Sequence, residues 1–212
     1  MNKQAGLTLI EMSIVLVIIG LIIGAVTLNS TGLIGNTKIT STISLIKDLS
    51  GAVVDFKSRY HYLPGDLPNA GDDIPEVASN YPQCNIAPNG TIGNGLIDTN
   101  AEINCVPVLL VLGGFIKGNP AGIISPFNNG ATPDVSVRWV NKSAVYQINS
   151  ANPFLPTVQN VIEIQNIPCD AAIAIDSRID DGDTSKGNVM SNPVCVIGVN
   201  GMLPTTTLDV GI

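Results

Sequence analysis

The chain opens on an apolar run. From Leu7 to about Leu28 nearly every position is Ile, Leu, Val, Gly or Ala, and between Leu7 and Thr37 the one charged side chain is Glu11. A helix over 7–28 would be about 33 Å long, enough to cross a hydrocarbon core of ~30 Å. The pattern then changes. Ile39, Ile43, Ile46, Leu49, Val53, Phe56 and Tyr60 recur at steps of three and four, with Lys38, Lys47, Asp48 and Lys57 between them. That spacing predicts an amphipathic second half of the helix, lying on a globular core. Residues 29–37 are the weak link, because Gly32 and Gly35 each cost roughly 1 kcal/mol relative to Ala and the apolar period fades there. Gly20 and Gly24 stand four apart, an arrangement that permits close helix approach in a membrane or simply supplies small residues. Pro64-Gly65 and Pro68 predict that the helix stops near Tyr60.

Beyond that point the apolar segments shorten. Val135-Ser136-Val137-Arg138-Trp139 alternates with period two, and 144–148 and 158–164 are β-branched and apolar. A last strand is expected at 194–199. Asp170 is placed to cap a short helix whose Ala172, Ile175 and Ile179 share a face and which ends at Asp180-Asp181-Gly182. The expected class is α+β: a long N-terminal α-helix, membrane-spanning in its first half, packed on a mainly antiparallel β-sheet globular domain. Trp139 is then a core residue rather than a ligand platform.

Composition narrows the function classes. The 212 residues suit one domain plus an anchor, and 21 Gly with 14 Pro imply many turns and loops. The net charge is −7, an acidic balance that argues against nucleic-acid binding, which needs clustered Lys and Arg. Nucleophilic catalysis needs a base, and the sole histidine, His61, sits in the turn after the helix. No phosphate loop, zinc-binding His pair or Gly-x-Ser-x-Gly elbow occurs, so no enzyme is expected. The adjacent acids Asp72-Asp73 and Asp180-Asp181 read as solvated turns. Cys84, Cys105, Cys169 and Cys195 form an even set beyond the apolar helix, which suggests two disulfides in an oxidising compartment. Three connectivities are open. Cys84–Cys105 with Cys169–Cys195 is favoured because each closes a local, turn-rich loop. Without a C-x-x-C spacing, structural zinc is not expected.

The segment Lys3-Gln4-Ala5-Gly6-Leu7-Thr8-Leu9-Ile10-Glu11-Met12 carries the sharpest signal. An ordinary secretory signal would have a shorter apolar stretch and a small-residue cleavage site after it. A plain anchor would fit the length but gives no reason for Glu11, since a charge within a membrane helix is costly and by default functional. The segment resembles the N-terminus of type IV pilins and type II secretion pseudopilins, with Leu7 where those proteins usually have Phe. The resemblance implies a leader at 1–6, cleavage by a prepilin peptidase between Gly6 and Leu7, and N-methylation of Leu7. It implies a pilin helix over 7–60, with 7–28 as membrane span and later filament core, and a globular head at 61–212. Loss of the leader removes Lys3 and leaves a side-chain charge of −8, from nine basic and 17 acidic residues.

Further motifs extend the likeness in order along the chain. They are Tyr60 to Ala70 with Leu63-Pro64-Gly65-Asp66, the turn Gly93-Asn94-Gly95-Leu96-Ile97-Asp98, a short apolar helix at 107–114, and Asp180-Asp181-Gly182 followed by Gly187-Asn188-Val189. The Cys169–Cys195 pair resembles the disulfide-closed loop of many type IV pilins. In such a filament the amine of Leu7 on one subunit would meet Glu11 of its neighbour, relieving the cost of the buried carboxylate and setting register. A helix N-terminus also favours an acid by its dipole. The implied partners are further copies of the chain in a helical filament, the prepilin peptidase and methyltransferase, the inner-membrane machinery of pilus or secretion system, and the membrane itself before assembly. The implied location is the bacterial inner membrane, then an extracellular pilus or a periplasmic pseudopilus. Three roles stay open: pilus subunit, secretion pseudopilin, or minor tip pilin with a binding role. No cofactor is expected. Calcium on Asp180, Asp181 and Asp183 is the alternative to a plain acidic turn, although the spacing is not that of an EF-hand.

Overall fold

A computed structural model describes residues 9–128, 130, 132–142, 158–195 and 205–212, with the backbone alone for 22–34 and Lys142. The chain divides into two compact units, Met1–Lys38 and Ile39–Ile212. Helix α1 (Leu9–Tyr60) contributes to both and is helical through 29–37, where the glycines predict weakness.

Over Leu9–Leu21, in the first unit, the helix carries Leu, Ile, Val and Met on all sides, with Glu11 and Ser13 among them. In the second its face changes character: Ile39, Ile46, Leu49, Val53 and Phe56 are buried, with Ile43 and Tyr60 packed at the margin. These are the positions that the three-and-four spacing selects. Phe56 anchors an aromatic group, its ring centroid 4.7 Å from that of Tyr60 and 5.3 Å from that of Phe115.

After α1 come two short helices, α2 (Ala70–Asp73) and α3 (Pro75–Asn80), and then α4 (Asn100–Leu112). The short apolar helix expected at 107–114 therefore begins earlier. Thr99 and Glu102 form a capping box, in which Glu102 N donates to Thr99 Oγ1 (3.2 Å) and Thr99 N donates to Glu102 Oε2 (2.8 Å). That satisfies amides of the first turn and fixes the start of the helix ahead of Pro107.

The sheet has the order β1-β2-β4-β3, every neighbouring pair antiparallel. Its strands are β1 (Val135–Trp139), β2 (Asn160–Pro168), β3 (Val189–Asn192) and β4 (Thr205–Gly211). One face carries Val135, Val137, Ile162, Ile164, Val189, Leu208 and Val210 into the core shared with α1 and α4. The other face carries Val161 and Met190, which form a second small cluster with Val140 and, at its margin, Trp139. On that face Arg138 Nη2 pairs with buried Glu163 Oε1 at 3.2 Å across the β1–β2 ladder. The arrangement is α+β, as the sequence predicts.

The details of the strands differ from expectation. The strand predicted at 158–164 runs over Asn160–Pro168, with a bulge between Ile164 and Ile167 where Asn166 has φ 58°. Of the last strand expected at 194–199, only the first two positions are described. Val194 and Cys195 lie outside any strand, and the ladder is formed by β3 and β4 on either side; 196–199 lies outside the described residues. The expected strand 144–148 also lies outside them. Helix α5 (Cys169–Ile179) is capped by Pro168, so Asp170 stands inside the first turn instead of at the cap, its Oδ1 accepting from Ala171 N at 2.9 Å.

Candidate functional site: the N-terminal helix and the acidic turn

The first turns of α1 hold side chains that a folded protein normally covers. Leu9 is 90% exposed, Leu16 66% and Leu21 70%, and every described side chain from Leu9 to Leu21 is exposed. An apolar surface on this scale marks a contact site, and a helix apolar all round is meant for a bundle or a bilayer. Glu11 lies in the first turn and is exposed as well. A Cβ on Gly20 would meet nothing within 4 Å, so its backbone is open to approach by another helix. Among the described residues no helix is long and apolar enough to cross a membrane. Of the span expected at 7–28, the described side chains are those of 9–21; Gly6 and Leu7, the expected cleavage pair, lie outside the described residues.

The head is locked by covalent and ionic latches. Cys84 is bonded to Cys105 and Cys169 to Cys195, with Cα separations of 5.5 and 5.4 Å. Asp66 is buried, and its Oδ1 accepts from the backbone amides of Gly93 and Asn94 while Oδ2 accepts from Gly95 at 2.8 Å. Burial pushes the Asp66 carboxyl above the usual range, the three amides pull the other way, and the charge of Asp98 adds to the rise. Gly65, with φ 98°, is required there because a Cβ would run into the Glu102 carbonyl. Thus Leu-Pro-Gly-Asp and Gly-Asn-Gly, read separately in the sequence, are the two halves of one contact. Buried Glu102 is also pushed up, chiefly by desolvation against the hydrogen bonds from Thr99 and Asp98.

The second acidic segment is built in the same way. Asp180 follows the end of α5, and its Oδ2 accepts from Asn188 N and Val189 N, joining Asp-Asp-Gly to Gly-Asn-Val. Gly187 (φ 93°) leaves room for that carboxylate. Asp181 and Asp183 share Lys186, at 3.3 and 3.2 Å. Asp183 also accepts from the hydroxyl of Ser185, which with the other contacts holds its carboxyl below the usual range. The three acids predicted as calcium candidates are not the three that the fold gathers. Asp176, Asp180 and Asp181 bring one carboxylate oxygen each within 4.8 Å of one another, and Asp183 turns towards Ser185 and Lys186. Asp176 is fully buried, and neither of its oxygens has a hydrogen-bond partner. Burial pushes its carboxyl up to about 6, helped by the charges of Asp180 and Asp181. The nearby amides of Gly182 and Asp181 oppose the rise without reaching hydrogen-bond geometry. The sequence signal for Asp176 was its place four residues before Asp180, one helical turn away. His61 is exposed in the turn after α1, at φ 63°.

The apolar first turns with their single carboxylate follow a leader-like segment, and comparison with known proteins decides what that combination is. Residues 1–27 carry the prokaryotic N-terminal methylation motif. It is the motif of type IV pilins and pseudopilins, a structural class, and it implies a membrane-anchored precursor, processing by prepilin peptidase and assembly into pilus-type filaments. No curated protein and no solved structure matches the chain.

Proposed function

We propose that the chain is a structural subunit of a type IV pilus, released from its leader between Gly6 and Leu7, methylated on the Leu7 amine and assembled through α1. The observation that carries this reading is the set of exposed apolar side chains from Leu9 to Leu21 around the lone Glu11. Water is a poor environment for that surface, and a bundle of like helices covers it on all sides. The carboxylate then needs a cation at its own depth. A Leu7 amine freed by cleavage would stand four positions earlier, and in a neighbouring subunit it can reach Glu11 from outside. A head held by two disulfides and by the buried Asp66 latch suits a filament surface outside the cytoplasm.

The test is intact-mass analysis of sheared filaments from cells that express the chain. The expected result is that this chain is the dominant species, begins at Leu7 and carries one methyl group on its amine. A mature chain that retains residues 1–6 contradicts the processing. A correctly processed chain that is scarce in filaments, or absent from them, moves the assignment to a tip pilin or a secretion pseudopilin.

A further inference from the structure

We propose that Asp176, Asp180 and Asp181 form a site for a hard divalent cation, calcium, at the C-terminal end of α5. One carboxylate oxygen from each lies within 4.8 Å of the other two. Oxygens on opposite sides of one calcium ion are about 5 Å apart, twice the usual Ca–O distance, so the three fit around a single ion. The donors are all carboxylate oxygen, which selects a hard cation over zinc or copper.

The independent pointer is Asp176. Its side chain is fully buried, both its oxygens are without hydrogen-bond partners, and it is aimed at two further acids. A buried carboxylate is ordinarily paired or bound to a metal. This one also stands in the last turns of α5, where the helix dipole is negative and favours a cation. Helix, cluster and orphaned oxygens all ask for positive charge at one point.

Lys186 does not supply it there. Its ammonium is on the outer side, shared between Asp181 Oδ2 and Asp183 Oδ2, and 60% of its side chain is exposed. Exposed pairs of this kind are weak and are easily rearranged around an incoming ion. The hydrogen bonds to Asp180 fall on its Oδ2, from Asn188 and Val189. The three carboxylates with a divalent ion leave a charge of −1, where without the ion it is −3, and Asp183 beside them keeps Lys186 as its counter-charge. The site would tie the end of α5 to the start of β3 through Asp180 and so brace the loop that Cys169–Cys195 closes.

The experiment titrates calcium into the full chain in detergent micelles by calorimetry, with thermal unfolding in calcium and in chelator. The wild type is expected to bind with a Kd of about 10⁻⁴ to 10⁻³ M, as extracellular modules do, and to melt at a higher temperature in calcium. Asp176→Asn and Asp181→Asn are each expected to weaken binding about tenfold or more, and Asp183→Asn by about threefold or less. Circular dichroism in chelator establishes that each variant is folded, and Asp181, being exposed, serves if Asp176→Asn is not. Wild-type protein that neither binds calcium nor gains stability from it overturns the proposal. So does wild-type affinity in folded Asp176→Asn or Asp181→Asn.

Discussion

At the scale of single residues, the head is organised by buried carboxylates, and their pH behaviour is the sharpest consequence. Asp176 has a native pKa of about 6 against an ordinary 3.8. A raised carboxyl pKa means that the native state binds the proton more tightly than the unfolded state. Stability therefore falls as pH rises from about 4 to about 6 and levels off above that. The full shift corresponds to about 3 kcal/mol. With chelator present, Asp176→Asn should melt above the wild type at pH 7.5, by about 2–4 °C for each kcal/mol recovered, and the gap should close towards pH 4. Melting curves across that range check it; a gap that is constant or widens at low pH would refute the assignment. These residues were only partly legible beforehand. Asp66 and Asp180 stand in turn motifs visible in the sequence, but the partners that give them a role, Gly93 to Gly95 and Asn188, are 27–29 and eight positions away. Asp176 sits in an amphipathic stretch where an acid reads as the solvent face.

At the scale of elements, helix ends prove as informative as helix faces. The apolar period in α1 gives both its buried face and its end at Tyr60, because period and breakers agree. Helix α4 shows the opposite case. Pro107 reads as a first-turn residue, yet Thr99-x-x-Glu102 is a capping box and starts the helix at Asn100. Thr99→Ala removes the acceptor for Glu102 N and should cost about 1 kcal/mol, a loss readable as a lower urea midpoint with an unchanged m-value. An unchanged midpoint would mean that packing alone fixes the start of α4. In the sheet, alternation identifies β1 but not β3 or β4. Buried Asp209 and Glu163 lie on a face that is itself covered, so polar residues there do not signal solvent. Strand β3 has only four residues, two of them Ser191 and Asn192. The bonded cysteines are the sequence-local pairs in each half of the head, 21 and 26 residues apart.

At the scale of the whole molecule, the two units carry different parts of the function. The first presents apolar side chains to its surroundings and one carboxylate among them; the second has a core of its own, closed by disulfides and latches. The first was legible from composition alone, because charge is missing from thirty positions around Glu11. The second was legible as a class, while its ladder depended on contacts between distant segments. The central claim is that Glu11 serves assembly through the amine of a neighbouring subunit. The direct measurement is the ratio of sheared surface filament to membrane-fraction subunit for wild type, Glu11→Asp and Glu11→Val. Glu11→Val removes a costly charge, so subunit should accumulate in the membrane at wild-type levels or above. Its filament yield should nonetheless collapse, with Glu11→Asp between the two because the charge stays and the reach shortens. Wild-type filament yield from Glu11→Val would contradict the account and leave α1 a simple anchor.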